Sequence, residues 1–297
     1  MVVSHFQPGA AGLGLRYCRL AHLPKSDLSF YNKGAQASVC KRWMMTRERL
    51  LDGRVALITG ASRGIGAATA RLLARHGAAV GINYYKSANE AKQLAEEIVE
   101  EGGRAVTIRA NVRASDEVSA MVEIVEQGLG PIDLLILNAG KMIRFAPALE
   151  FKFEDLQSTI ADELKGAHYA VQAVVPGMVA RRRGSIVAVS STASRYHWEG
   201  SMAHSMAKAA LDSYVRSLAL ELGQFGVRAN LIAPGLTITE AISPSSKART
   251  DEVARTTPLR RNANPEDVAG AILMVASDNA AFVSGAYIPV SGGLNMG

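Results

Sequence analysis

Three groups able to handle protons and charge fall close together in the second half of this chain. They are Ser191, then His204 thirteen residues on within His204-Ser205-Met206-Ala207-Lys208, then Lys208 itself. An imidazole is an acid or base near neutral pH, and a hydroxyl and an ammonium steady negative charge at an oxygen. The first half offers phosphate chemistry. Thr59-Gly60-Ala61-Ser62-Arg63-Gly64-Ile65-Gly66 is a glycine-rich turn of TGxxxGxG spacing. Gly60 permits the tight turn, Gly64 lets a phosphate approach, and Gly66 lets helix and strand pack. The N-terminus of the helix, with its unpaired N–H groups, then faces a pyrophosphate. A third segment, Leu137-Asn138-Ala139-Gly140, is built of small residues that let the chain pass close to a ligand.

These residues need a scaffold, and the pattern supplies one. From Arg54 onward short β-branched runs alternate with longer amphipathic stretches, the signature of a doubly wound parallel sheet. Strands are expected at Val55–Thr59, Ala79–Tyr84, Ala105–Ala110, Leu134–Asn138, Ser185–Ser190, Arg228–Ala233 and near Tyr287–Val290. Helices are expected at Ile65–His76, Ala88–Glu101, Ser115–Gln127, about Glu154 to Ala180, and His204–Leu222. Asn264-Pro265-Glu266-Asp267 starts another, with a capping residue, Pro in the first turn and acids favoured by the dipole. Arg181-Arg182-Arg183 reads as a solvated helix end. With no internal repeat and no linker, residues 47–297 form one α/β domain, a Rossmann-type fold with a mostly parallel seven-stranded sheet.

Composition bounds the rest. The chain has 297 residues, 48% of them hydrophobic, and no run long enough to span a bilayer, so a soluble protein is expected. The net charge of +6 is concentrated at one end. Residues 1–46 hold Arg16, Arg19, Lys25, Lys33, Lys41 and Arg42 against the single acid Asp27, which leaves +1 for the rest. The body has no basic bias pointing to nucleic acid. Cys18 and Cys40 also lie in this extension, and a cysteine-free body fits a reducing, cytoplasmic setting. Residues 1–46 read as a disordered tail or a mis-assigned start ahead of Met44 or Met45, with an organelle transit peptide as the alternative. The six histidines give no metal-ligand spacing.

TGASRGIG, LNAG, a Ser thirteen residues before a xxxxK position, and Ala233-Pro234-Gly235 after the sixth strand resemble the short-chain dehydrogenase/reductase family. The match runs through nearly all of residues 50–297, in order and at family spacing. It implies a nicotinamide cofactor held by Gly60, Ser62, Arg63, Ile65, Gly66, Tyr84, Asn111, Val112, Asn138, Ala139, Gly140, Lys208, Pro234, Gly235 and Thr237. The family places an acid after the second strand when NAD is preferred. Here Ile82-Asn83-Tyr84-Tyr85-Lys86-Ser87 has none, and Arg63 stands where related NADPH enzymes carry a basic residue, so the resemblance implies NADPH. It also implies a small-molecule substrate, a mobile flap over Thr237–Pro258, and a homo-oligomer, dimer or tetramer. No nucleic acid or membrane partner is expected.

The catalytic set departs from that family. Ser191 and Lys208 match, but His204 stands where the family has its proton-donating Tyr, and Glu163 stands where it has Asn. Three readings follow. His204 replaces Tyr as donor in a carbonyl reductase, with Glu163 pairing with Lys208 or raising the His pKa, against the opposing charge of Lys208. Alternatively the protein reduces a C=C or C=N bond, as enoyl-thioester reductases do, with Tyr196, His197, Tyr169 or His168 as substitute donors; the usual enoyl-reductase Tyr position is Ser201. In the third, the protein binds nucleotide without catalysis.

Overall fold

A computed structural model describes residues 49–140, 145–240 and 247–296; the reading of residues 1–46 lies outside the described residues. Seven strands form a single sheet: β1 (Val55–Ile58), β2 (Ala79–Tyr84), β3 (Arg104–Arg109), β4 (Leu134–Leu137), β5 (Gly184–Val189), β6 (Val227–Pro234) and β7 (Tyr287–Val290). Their order is β3-β2-β1-β4-β5-β6-β7. Every neighbouring pair is parallel, so the sheet is wholly rather than mostly parallel. β1 reads VALI and β4 LLIL, buried throughout, because strands covered by helices on both faces have no side to show to water. Ile58 pairs with both Ile82 and Ile136, which sets β2, β1 and β4 in register at the end where the glycine turn begins.

The helices are α1 (Gly64–Arg75), α2 (Ala88–Glu100), α3 (Ser115–Leu129), α4 (Phe153–Arg181), α5 (Met202–Leu222), α6 (Lys247–Thr256) and α7 (Pro265–Ala276). Helices α1, α2 and α7 cover one face through Leu73, Leu94 and Ile272. Helices α3, α4 and α5 cover the other through Met121, Val174, Met178 and Leu211. The expected start of α7 forms as the sequence implies: the Asn264 N–H donates to the Asp267 carboxylate at 2.7 Å. Helix α5 starts at Met202, which places His204 in its first turn.

The Arg181–Arg183 run is exposed, as expected of a solvated helix end, and two of its guanidinium groups also reach backbone carbonyls. The Arg181 guanidinium donates to the Ile132 carbonyl at 2.7 Å, and that of Arg182 to the Gln224 carbonyl at 2.8 Å. Arg182 itself is left-handed (φ 52°) and its carbonyl closes on Gly226, where an added Cβ would lie 2.5 Å from it. Gly226 also has φ 72°, so any side chain there meets both conformational and steric cost. Gly226→Ala should therefore lower stability by about 1–3 kcal/mol. Because this turn lies at the end of the sheet away from the glycine turn, nucleotide affinity should not change. Chemical denaturation paired with nucleotide titration checks both; weakened binding by a folded variant would contradict this placement.

Candidate active site

The site lies along the C-terminal edge of the sheet, beside the point between β1 and β4 where strand order reverses. The turn after β1 is fused to the segment after β4. Thr59 Oγ1 accepts from the N–H groups of Asn138 and Ala139 at 2.9 and 3.0 Å and donates to the Ile136 carbonyl. The Asn138 side-chain amide donates back to the carbonyls of Thr59 and Gly60 at 3.0 and 2.9 Å. Glycine is required by this closeness: a Cβ at Gly60 would sit 2.8 Å from Ala139 Cα, and one at Gly66 would sit 2.6 Å from both the Asn138 amide nitrogen and the Gly60 carbonyl. The buried Asn83, at the end of β2, accepts from the Gly60 N–H at 3.0 Å and donates to the Ala110 carbonyl at 3.1 Å. Asn83 thus ties three strand ends together, a role that spacing alone did not disclose.

This arrangement fits a dinucleotide. Arg63, the residue capping α1, makes no side-chain cap, and the first turn of α1 holds no acid. Neither a cap nor a first-turn acid therefore competes with a pyrophosphate for its N–H groups and dipole, although the Glu240 carboxylate reaches to 3.9 Å from where a Cβ on Gly64 would lie. Arg63 is exposed beside them, Ser62 and Ile65 are half-buried, and Tyr84 is half-buried at the end of β2. Asn111, after β3, accepts from the Arg113 N–H, and Val112 packs where a Cβ on Gly166 would fall. Gly140 lies on the open side of the fused segment, with nothing within 4 Å of an added Cβ. Pro234 ends β6, and Gly235 lies against Ser291. Thr237 turns its hydroxyl to the Gly235 carbonyl at 3.2 Å, whereas the Thr239 side chain lies against Gly64. Thr239 therefore lies nearer the phosphate turn, and sequence reasoning had passed over it. Part of the expected flap, residues 241–246, lies outside the described residues.

Ser191 follows β5, and its Oγ accepts from the Ala193 N–H at 3.1 Å, which leaves its own O–H to donate. The preceding Ser190 donates to Asp212 of α5, a carboxylate 2% exposed, and this contact clamps the strand end to the helix. Lys208 Nζ lies 2.7 Å from Glu163 Oε1 and 2.9 Å from the Val189 carbonyl. The two side chains are only 11% and 7% exposed. Asp162, next to Glu163, pairs with Arg113 at 3.0 Å.

His204 packs against Phe145 and Trp198, with ring centroids 6.0 and 6.2 Å away. Its Nδ1 and the Trp198 Nε1 are buried without a hydrogen-bond partner among the described residues. Burial first, and then the Lys208 charge, push the imidazole down to about 4 against the opposing charge of Glu163. Two of the other candidate donors are engaged elsewhere. The Tyr196 hydroxyl donates to the Met296 carbonyl and His168 bonds the Tyr214 hydroxyl at 3.1 Å, with the Tyr169 ring tilted beside it, whereas His197 is exposed. Ser201 is 1% exposed, and its hydroxyl bonds the backbone of Trp198.

The depressed imidazole has a consequence for stability. A group whose folded pKa of about 4 lies below its unfolded value of about 6.5 binds fewer protons when folded. Its contribution is therefore lost as pH falls through that window, by at most about 3 kcal/mol. His204→Gln should lose less stability than wild type between pH 7.5 and pH 4.5 in denaturant melts. Equal losses would show that His204 is not buried as a neutral ring.

Comparison with known proteins agrees with this geometry. A family model described as Enoyl-(Acyl carrier protein) reductase matches residues 60–295. A 3-oxoacyl-[acyl-carrier-protein] reductase of Synechocystis is 36% identical over 247 residues, covering 83% of this chain and 98% of the relative. The L-rhamnose 1-dehydrogenase (NAD(P)(+)) of Sphingomonas is 36% identical over 249 residues, with the same coverage. The crystal structure of a dehydrogenase/reductase from Sinorhizobium meliloti superposes with a TM-score of 0.75 at 31% identity, over 86% of this chain and all of that one. With the parallel sheet, the fused glycine turn and the Ser191–Lys208 pair in place, the chain belongs to the short-chain dehydrogenase/reductase family.

Proposed function

We propose that this protein is an NADP(H)-dependent carbonyl reductase in which His204, in place of a tyrosine, delivers the proton. The observation that carries the reading is Lys208, kept on the same helix one turn from His204, with its ammonium 2.7 Å from the Glu163 carboxylate. When bound, a reduced nicotinamide supplies the hydride. Ser191 donates a hydrogen bond to the carbonyl oxygen as negative charge develops there, and the His204 imidazolium gives that oxygen its proton. Lys208, anchored by Val189 and Glu163, is placed to hold the nicotinamide ribose, and solvent then reprotonates His204.

Carbonyl reduction is favoured over C=C reduction on two grounds. The relatives named above act as a 3-oxoacyl reductase and a sugar dehydrogenase. The residue at the enoyl-reductase tyrosine position is Ser201, buried in the backbone of the Trp198 turn, and Tyr196 is committed to Met296. Phe145, 52% exposed, stands with Trp198 and His204 as a cluster of mutually inclined rings, with Arg249 of α6 over the Trp198 ring at 5.1 Å. That cluster suits a carbonyl compound with an aromatic or apolar group. Homo-oligomer assembly and a cytoplasmic setting belong to the same reading; the exposed Leu220 of α5 fits the former.

One observation favours a second reading. With a value of about 4, roughly one His204 in a thousand is protonated at pH 7, which suits a protein that binds nucleotide without turning it over.

NADPH consumption on a panel of aromatic ketones, quinones and trans-2-enoyl thioesters separates these readings. If the imidazolium is the acid, turnover of a ketone should rise about tenfold for each unit the pH falls from 8 to 6. His204→Ala should abolish it with NADPH binding intact. A flat profile or an active alanine variant would refute the assignment, and no turnover of any substrate would leave the nucleotide-binding reading. Arg63→Ala should weaken NADPH binding by about tenfold or more while barely changing NADH binding, as expected for a charge-assisted contact to a 2′-phosphate. Equal losses for the two nucleotides would count against Arg63 as the discriminating residue.

A further inference from the structure

The two departures from the family pattern, His204 and Glu163, converge on the same lysine. Lys208 Nζ lies 2.7 Å from Glu163 Oε1 with both side chains nearly buried, and His204 is one helical turn away on α5. A neighbouring ammonium acts oppositely on the two acids that could stand at position 204. A phenol becomes an anion when it gives up its proton, so an uncompensated ammonium makes it a better acid. An imidazolium becomes neutral, so the same ammonium discourages the charged form from which the proton must come. A carboxylate in contact with the ammonium cancels most of its field at either acid.

We propose that Glu163 is a positioning residue whose carboxylate cancels the field of Lys208, which makes histidine workable at position 204 and would make tyrosine worse there. The inference rests on the proposed role of His204 as donor. Among the described residues, the charged groups facing the imidazole are Lys208 on its own helix and Glu163 from α4. Arg249 of α6 lies beyond the Trp198 ring. Two other acids close by are already engaged: Asp162 with Arg113, and Asp212 with Ser190 and Arg216. Glu163 is therefore the carboxylate available to offset Lys208.

The experiment is a four-protein cycle of wild type, Glu163→Asn, His204→Tyr and the double variant. For each, kcat/KM for one ketone is read across pH, and NADPH affinity is read by fluorescence. In the histidine background, Glu163→Asn should lower kcat/KM about tenfold at pH 7 and move the acid limb to lower pH. In the tyrosine background the same substitution should raise kcat/KM about tenfold. Opposite signs cannot come from misfolding, which lowers both. Glu163→Asp, which keeps the charge, should keep the wild-type pH dependence. Where the asparagine variants no longer bind NADPH, Glu163→Gln takes their place with the same expected signs. A loss of similar size in both backgrounds, or an unmoved acid limb, would overturn the proposal and reduce Glu163 to a structural anchor. Failure of the underlying reading looks different: His204→Ala would then keep its turnover, whatever position 163 does.

Discussion

A lysine ammonium that is nearly buried must be neutralised or solvated, and the active site is arranged around how this one is neutralised. Lys208 is held by a carboxylate on α4 and a backbone carbonyl at the end of β5, so one ion pair joins two helices and a strand. Taking both charges out of water costs several kcal/mol, and the pair survives only because its geometry is good. That pairing fixes the distance of α5 from α4, and with it the place of His204 in the first turn of α5. It also decides how much positive charge the imidazole feels. Position and electrostatics of His204 thus depend on the same contact.

The cofactor side of the site is built on different terms. There the requirement is close approach of backbone to backbone, met by Gly60 and Gly66 and by the hydrogen bonds of Thr59, Asn83 and Asn138. None of these groups needs to change charge. The anion-binding end of α1 works through N–H groups that every residue but proline supplies. Such a cradle does not depend on the charge state of His204, Lys208 or Glu163, so it can stay complete while those positions vary.

Much of this was legible in the chain before any coordinates. Buried parallel strands leave continuous apolar runs such as Leu134–Leu137, and helices leave caps such as Asn264 with Asp267, so element order and the sheet class follow from pattern. The glycine turn was legible because only glycine fits where Ala139 and Asn138 press on it. Asn83 and Asp212 were not, since a buried amide or carboxylate at a strand or helix position looks like any polar residue until its partners are known. Thr237 was expected from the family resemblance alone, and only the path of the chain shows that the Thr239 side chain meets Gly64. The Arg181–Arg183 run looked solvated and is exposed; what spacing could not show is its acceptors, the carbonyls of Ile132 and Gln224, which are far away in sequence.

The His204 environment shows why a substitution at a catalytic position has to be read with its neighbours. Taken alone, an imidazole pressed against Phe145 and Trp198 beside a lysine is a poor proton donor, because burial and like charge both favour the neutral ring. Glu163 opposes the lysine, but burial is the largest cause and the imidazole stays depressed to about 4 with the carboxylate in place. Burial, in turn, is a property of the surrounding rings rather than of the ion pair, and Phe145 is itself half in solvent. The remaining penalty on the charged imidazole therefore lies in the surrounding rings. Whatever displaces or polarises the Phe145 and Trp198 rings changes the acidity of His204, so the balance between its neutral and charged forms is set by packing as well as by the ion pair.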